Sequence, residues 1–374
     1  MRSEHKPYIP RVDHLRFVAA LIVLLYHSFH HWVPLDIHPR NPLLTLIDEG
    51  HTGVGLFMVI SGFIFGILTF GSDVRYGQYI RNRVLRIYPL LVFVVFLSAA
   101  RPGDQAAPLT VFLNHLIPVS SFGFEGPQLV HFPQLWSIAV EFQIYLLFPF
   151  FLRFAERYGV RYLLAFIGLL LVVRLLVWAS TGTVQMLAYG SVFGRLDQFL
   201  IGLMAGRLYR CRSDLLGNPA WLVLACAVEL FTIWGFDRLG GFYGNGHPSK
   251  SPIWIGWPPV EALSWAFVLL AYVSCRWSLG ATFDRVTAWL GSISYSIFVM
   301  HLLVFWAWQP RIGAQLVLSA DPWLDALLKG ALIVLPSTIV VAAATYYLVE
   351  RPFFRYQRSY LNEAPPETLK NRKN

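Results

Sequence analysis

Three polar side chains recur at helical spacing in the first apolar stretch of the chain. Arg16 and His27 are eleven residues apart, which at about 100° per residue is about 20° from three full turns. Asp13 precedes His27 by fourteen residues, about 40° from a whole number of turns. The three side chains therefore share one face of a helix. A histidine in that setting could act as a general base, since its ordinary pKa of about 6.5 suits proton transfer near neutral pH.

Other ionisable residues interrupt later apolar stretches, where they are costly and commonly functional or paired. They are Glu141, Arg174, Arg195, Asp197, Glu229 and His301. A rise of about 1.5 Å per residue places Glu141, Arg195, Asp197 and His301 with His27 in the outer half of a membrane. A shared polar cavity requires this agreement in depth. Arg174 and Glu229 lie nearer the middle, and we expect them to neutralise each other.

Metal binding is the alternative chemistry for the first stretch. His27 and His31 have the i, i+4 spacing of metal ligands, with His30 beside them. The chain has no HExxH pattern, and its three cysteines form no CxxC pair. The sequence therefore favours a site without metal and predicts no disulfide.

An arginine-rich segment, RNRVLRIYP (81–89), precedes the third apolar stretch. Guanidinium groups suit phosphate through bidentate hydrogen bonds, so Arg81, Arg83 and Arg86 could bind a phosphorylated substrate beside Tyr88. The alternative is positive charge that only orients the chain in a membrane. Both interpretations stay open at this point.

A Gly- and Pro-rich loop, 237–258, carries Tyr243, Trp254 and Trp257. Aromatic faces stack on sugar rings, but aromatic residues also form belts at membrane interfaces. The belt is the favoured interpretation, and sugar binding by the tryptophans is the alternative.

The composition indicates the class of protein that must position these residues. The 374 residues are 56% hydrophobic and 14% charged, against about 25% charged in an average soluble protein. Mean hydropathy is +0.53. These values exclude intrinsic disorder, a collagen-like fibre and an ordinary cytosolic enzyme. The net charge of +9 is explained by basic cytoplasmic loops rather than by nucleic-acid binding.

The apolar stretches predict an all-α integral membrane protein with about ten transmembrane helices. They lie at 14–33, 53–71, 84–101, 134–152, 162–180, 191–209, 219–236, 259–275, 287–308 and 324–349. Alternate loops hold 22 of the 30 Lys and Arg residues and the opposite loops hold four, so both termini are predicted to be cytoplasmic. We expect residues 1–356 to form one membrane domain and residues 357–374 a loose polar tail.

Several segments together resemble the acyltransferase 3 family of integral membrane acyltransferases, over about residues 8–356. The most specific is the Arg-x10-His pattern within DHLRFVAALIVLLYH (13–27). The others are GVGLFMVISGFIFG (53–66), RNRVLRIYP (81–89), LWSIAVEFQIYLLFP (135–149), GRLDQFLIG (194–202), LGSISYSIFVMH (290–301) and the VERP tetrapeptide at 349–352. The length is similar to the stand-alone type that lacks a C-terminal esterase-like domain.

The resemblance implies transfer of an acyl group, commonly acetyl, from cytoplasmic acyl-CoA to a hydroxyl, most often on a cell-surface or lipid-linked glycan. It places the protein in a bacterial inner membrane as a multi-pass enzyme, with no metal and no nucleic-acid partner. His27 would act as general base or carry the acyl group, assisted by Arg16 and Glu141. Arg81, Arg83, Arg86 and Tyr88 would bind CoA. The acceptor side would comprise Asp13, Ser61, Gly62, Arg195, Asp197, His301, Trp254 and Trp257, with the Ser61-Gly62 backbone a possible oxyanion site.

Two other functions remain alternatives. Intramembrane charges would equally serve an exporter or flippase of a glycan intermediate. An acyltransferase of this family could also act on a small secondary metabolite such as a macrolide. An acyltransferase of the MBOAT type fits less well, because the Arg-x10-His segment is not its signature.

Overall fold

Long helices form most of the protein in the computed structural model, which describes residues 8–33, 39, 41–99, 132–244, 246–312 and 315–363. In chain order the helices are α1 (Pro10–Trp32), α2 (Pro42–Asp48), α3 (Thr52–Thr69), α4 (Tyr76–Ala99), α5 (Leu135–Tyr158), α6 (Val160–Thr181), α7 (Gln185–Gly190), α8 (Val192–Cys211), α9 (Pro219–Arg238), α10 (Ile253–Ser274), α11 (Ala281–Ser292), α12 (Ser294–Ile312) and α13 (Pro322–Phe354). Two π-helical turns, Gly330–Val334 and Tyr346–Glu350, interrupt α13. The fold is that of an all-α membrane protein.

Each of the ten predicted transmembrane segments coincides with a long helix or helix pair. Within the described residues, seven helices are long and apolar enough to cross a membrane, namely α1, α3, α5, α6, α9, α10 and α13. An eighth results if α11 and α12, which meet at 67°, are one broken span. Helices α4 and α8 carry more charged residues and are not among these seven helices. Ten spans and cytoplasmic termini therefore stay predictions.

Helices α3 and α8 pack closely because glycines remove the side chains between them. A Cβ atom at Gly62 would lie 2.0 Å from the Phe199 carbonyl oxygen, and one at Gly202 would lie 2.1 Å from the Val59 carbonyl oxygen. Gly66 and Gly206 repeat the pattern one turn further along each helix. Small residues at spacings of four are a common means of bringing membrane helices together. This pair forms the centre of the bundle.

Helices α6 and α9 lie at the periphery. Large apolar side chains such as Leu176 and Phe231 are exposed on them. An apolar surface of this kind is the one that lipid tails cover. Arg174 and Glu229, the charged residues in the middle of α6 and α9, are buried.

The segment after α13 returns to the loop between α3 and α4. Strands β1 (Ser72–Val74) and β2 (Leu361–Glu363) pair antiparallel, and the Asn82 side chain hydrogen-bonds both the backbone N–H and the carbonyl of Arg358. Tyr360 is buried beside the ring of Tyr79, and burial raises the pKa of its phenol. Residues 358–363 thus make specific contacts with this loop. Residues 364–374 lie outside the described residues, and a loose tail from residue 357 stays a prediction.

Candidate functional site

The rings of His27 on α1 and His301 on α12 are in contact, with centroids 5.1 Å apart and a tilt of 32°. His27 is half-buried, whereas His301 is almost completely buried, at 1% exposure. Nδ1 of His301 lies 2.6 Å from the Phe298 carbonyl oxygen. The predicted agreement in depth between these two histidines therefore corresponds to lateral contact.

The N-terminal end of the same face of α1 is charged. Arg16 forms an ion pair with Asp13 at 3.4 Å, and it lies within electrostatic range of Glu350. Glu350 is buried, pairs with Arg86 at 3.4 Å and accepts a hydrogen bond from Ser296 on α12. His27 and Arg16 thus lie toward α12 and α13 respectively, on one face of α1 as the spacing of eleven residues predicts. Asp13 pairs with Arg16, and its backbone lies against Gly291 near the end of α11.

Glu141 belongs to a second polar group, between α3 and α5. Its Oε1 accepts hydrogen bonds from Ser61 at 2.9 Å and from Tyr145 one turn later. Among the described residues, no hydrogen bond joins Glu141 to His27. Arg83 lies over the rings of Phe65, Tyr79 and Tyr145, so this CoA-binding candidate is close to Glu141.

The remaining donor-side candidates are dispersed along α4. Arg86 lies over the rings of Tyr295 and Phe354 in addition to its pair with Glu350. The ring of Tyr88 packs against Phe142. Arg81 is half-buried and makes no hydrogen bond or ion pair with other described residues. Of the four predicted CoA-binding residues, Arg81 therefore makes the fewest contacts with other described residues.

Two buried ion pairs link α8 to its neighbours. Arg174 and Asp197 are completely buried and 2.6 Å apart, and Arg195 lies 3.6 Å from Glu261. The expectation that Arg174 neutralises Glu229 was wrong, because Asp197 on α8 lies closer to the guanidinium. Glu229 lies instead beside Ser264 on α10. Asp197 and Arg195, both placed on the acceptor side by sequence, are held by these charges.

The aromatic residues of the 237–258 loop enter a buried cluster instead of an exposed belt or sugar platform. Trp254 and Trp257 are 1% and 4% exposed, and Trp257 stacks on Phe236 with centroids 3.8 Å apart. The Tyr26 hydroxyl donates a hydrogen bond to the Tyr243 hydroxyl at 3.2 Å. The loop is thereby attached to the residue beside His27.

His51 lies in this cluster immediately before α3. Its Nε2 is 2.9 Å from Oε2 of Glu49, and rings of Phe242 and Trp254 surround it. Desolvation by burial lowers the pKa of His51 to about 3. The imidazole is therefore neutral at physiological pH.

Within the described residues, a group of carboxylates could hold a cation, whereas the sequence had offered a histidine pair as the alternative metal site. Asp48, Glu49 and Asp237 are buried and bring one oxygen each within 4.8 Å of the others. His30 lies 3.4 Å from Asp48 and His51 contacts Glu49. His31 instead bonds the His27 carbonyl oxygen through Nδ1 at 2.6 Å. The i, i+4 pair of the sequence thus does not form a chelate.

A cavity of about 650 Å³ opens at the other end of α1, lined by Arg11, Tyr209, Arg210 and Asp284 among others. Arg11 donates to the carbonyl oxygens of Tyr272, Cys275 and Trp277, and Arg210 donates to that of Phe70. None of the site residues predicted from sequence lines this cavity.

Sequence reasoning missed three residues of the polar groups: Tyr145, Glu261 and Glu350. Tyr145 could have been found from its i, i+4 relation to Glu141, and Glu261 from its position within an apolar stretch. Glu350 was part of a recognised tetrapeptide but had no assigned partner. Gly62 faces the backbone of Phe199 on α8, and its assignment to the acceptor side stays a prediction.

Comparison with known proteins gives a family and several relatives. The sequence profile of the acyltransferase 3 family, described as an acyltransferase domain, matches residues 9–347. A predicted peptidoglycan O-acetyltransferase of Bacillus subtilis is 27% identical over 175 residues, covering 40% of this chain and 25% of the relative. A predicted O-acetyltransferase of Staphylococcus aureus strain COL is 21% identical over 96% of this chain and 59% of the relative.

A predicted acetyltransferase of Acidianus two-tailed virus is 26% identical over 80% of this chain and 84% of the relative. The chain spans less than two thirds of the length of the B. subtilis and S. aureus relatives. No solved structure matches it.

Proposed function

Because the chain belongs to the acyltransferase 3 family, we propose that it is a membrane O-acyltransferase. In this proposal an acetyl group moves from cytoplasmic acetyl-CoA to a hydroxyl of a cell-surface or lipid-linked glycan. The names of the bacterial relatives, O-acetyltransferases and a peptidoglycan O-acetyltransferase, support this choice of acyl group and acceptor.

The observation that carries the proposal is the contact between His27 and His301 at the end of the polar face of α1. His27 is half-buried, so its ring can meet a substrate while most surrounding water is excluded. Eleven residues, a helix rise of about 16 Å, separate His27 from the charged groups at Arg16. The donor's charged part and its thioester would therefore contact different levels of the same face.

The reaction needs one proton acceptor and one proton donor. An unprotonated nitrogen of His27 would take the proton of the acceptor hydroxyl as the oxygen attacks the thioester carbonyl carbon. The C–O bond forms, the C–S bond breaks, and His27 returns the proton to the CoA sulfur. Transfer of the acyl group first to His27 and then to the acceptor is the alternative sequence of steps.

The donor site in this proposal lies along α4. Arg81 has no partner among the described residues, and guanidinium groups bind phosphate through paired hydrogen bonds. Arg86 and Arg16 meet around Glu350, which would bring positive charge to the path between that segment and His27. Glu141, with Ser61 and Tyr145 on one of its oxygens, would hold the acceptor hydroxyl or order the residues around it.

The test uses purified protein in liposomes with acetyl-CoA labelled in the acetyl group and two acceptors, peptidoglycan fragments and a lipid-linked oligosaccharide. We expect release of CoA thiol together with labelled acceptor, and a loss of at least about 100-fold in His27→Ala, the low end for a lost general base. His31→Ala is the matched control, because His31 is exposed on the same helix and bonds its own helix backbone. It should retain wild-type activity.

Wild-type activity in His27→Ala would refute the proposal. Movement of the lipid-linked oligosaccharide across the vesicle membrane without consumption of acetyl-CoA would identify an exporter. Acetylation of a macrolide in place of both glycans would assign the protein to secondary metabolism.

A further inference from the structure

The protonation state of His301 follows from one hydrogen bond. Its Nδ1 lies 2.6 Å from the Phe298 carbonyl oxygen, and a carbonyl oxygen only accepts, so Nδ1 carries the proton. In the neutral ring Nε2 then holds the lone pair. Nε2 is buried and has no hydrogen-bond partner among the described residues. Because buried polar atoms are nearly always paired, this acceptor calls for a donor.

The groups around His301 leave one candidate donor. His27 on α1 is in ring contact at 5.1 Å. His31, also on α1, lies within electrostatic range, but its Nδ1 is used by the His27 carbonyl and its ring packs on Phe305 and Trp306. The neighbour of His301 on its own helix is the ring of Phe298. No other charged or titratable side chain of the described chain contacts His301.

We propose that His301 is the positioning residue for His27. Its Nε2 accepts a hydrogen bond from the protonated nitrogen of His27 when that ring turns about its Cβ–Cγ bond. This bond fixes which nitrogen of His27 bears hydrogen, so that the opposite nitrogen presents its lone pair to the acceptor hydroxyl. Side chains that hold a catalytic imidazole in one tautomer have this effect in other acyl-transfer enzymes.

The assignment rests on the proposed function and adds a role to His301 that needs no contact with substrate. The protons balance without leaving His27. Its free nitrogen takes the proton of the acceptor hydroxyl and delivers it to the CoA sulfur, while the nitrogen facing His301 keeps its hydrogen throughout. His301 keeps its own proton on Nδ1, where the Phe298 carbonyl holds it.

Two replacements of His301 separate positioning from packing. His301→Gln retains an oxygen that accepts a hydrogen bond, and His301→Phe retains a ring without any lone pair. We expect His301→Phe to lower kcat about 10- to 100-fold, with both KM values within about two-fold of wild type. His301→Gln should recover most of kcat, and both variants should unfold thermally near the wild-type temperature. If His301→Phe does not fold, His301→Met takes its place.

The outcomes distinguish this inference from the proposed function. Full kcat in His301→Phe, alongside an inactive His27→Ala, would overturn the positioning role and leave the acyltransferase assignment standing. Equal losses in the Gln and Phe variants, or a loss confined to KM or to thermal stability, would also overturn it. Full activity in His27→Ala would instead remove the proposed function on which the role of His301 rests.

Discussion

The Ser61 hydroxyl on α3 donates a 2.9 Å hydrogen bond to Oε1 of Glu141 on α5. Tyr145 donates to the same oxygen, whereas Oε2 accepts no hydrogen bond from the described residues. Two donors on one oxygen fix the orientation of the carboxylate and leave the second oxygen for a substrate hydroxyl. Two residues that sequence assigned to different parts of the reaction thus form one unit.

Replacing Glu141 with Gln should therefore reduce acyl transfer at least about 10-fold. The amide cannot accept two hydroxyl donors on one oxygen and also present a second acceptor oxygen. Ser61→Ala should have a smaller effect, because Tyr145 still holds Oε1. Initial rates with purified protein measure both changes. Asp214→Asn, the same chemical change at an exposed residue, is the control, and equal rates in Glu141→Gln and Asp214→Asn would contradict the prediction.

Adding a single methyl group at Gly202 should push α3 and α8 apart and destabilise the protein. In Gly202→Ala the new Cβ would meet the Val59 carbonyl oxygen at 2.1 Å, and overpacking of this kind costs about 1–3 kcal/mol. Gly168→Ala on the peripheral helix α6 meets nothing within 4 Å and should be neutral or slightly stabilising. Thermal unfolding in detergent gives the comparison. Equal unfolding temperatures for the two variants would show that the close approach of the helices is dispensable.

Replacing only one member of the Arg174–Asp197 pair should destabilise the protein more than replacing both members. Arg174→Met or Asp197→Leu alone leaves the other charge buried, which costs about 3–5 kcal/mol. The double variant leaves no unpaired charge and should recover most of that stability. A double-mutant cycle of unfolding free energies measures the coupling. Additive losses would mean that the two side chains do not interact.

Arg81 gives the clearest test of donor binding, because replacement of Arg86 also strands the buried Glu350. Arg81→Gln should raise the KM for acetyl-CoA about 10-fold, the equivalent of one lost charge-assisted hydrogen bond, with kcat unchanged. Acetyl donors without the nucleotide should be much less affected. Arg161→Gln, at an exposed arginine whose side chain bonds the Tyr158 carbonyl, is the control. An unchanged KM in Arg81→Gln would exclude this residue from the donor site.

The orientation predicted from the Lys and Arg distribution can be measured by labelling single cysteines. Gly77 and Gly244 are exposed, and each can be changed to cysteine in a version that lacks Cys211, Cys226 and Cys275. An impermeant maleimide should reach position 244 from outside and position 77 only from the cytoplasmic face. Labelling of both positions from one side would overturn the orientation.

Local properties of the sequence were enough to predict the helices and the polar face of α1. A helix places residues by a constant rise and rotation, so Asp13, Arg16 and His27 share a face whatever surrounds them. The same rise gave the depths of His27 and His301, which are in contact. Apolar composition required a membrane protein, because a chain with so few charges cannot cover its surface in water.

Tertiary structure decided which side chain meets which at a given depth. Asp197, Glu229 and Arg174 lie on three helices, and depth alone cannot tell which helices are neighbours; packing placed Asp197 against Arg174. Hydropathy likewise cannot separate a side chain facing lipid from one facing protein, since both surroundings are apolar. For that reason the sequence predicts Trp254 and Trp257 at the membrane interface, whereas in the structure they lie buried against Phe236 and its neighbours. Lateral contacts depend on the joint packing of distant segments, such as the glycine-lined approach of α3 to α8, and only the folded chain determines them.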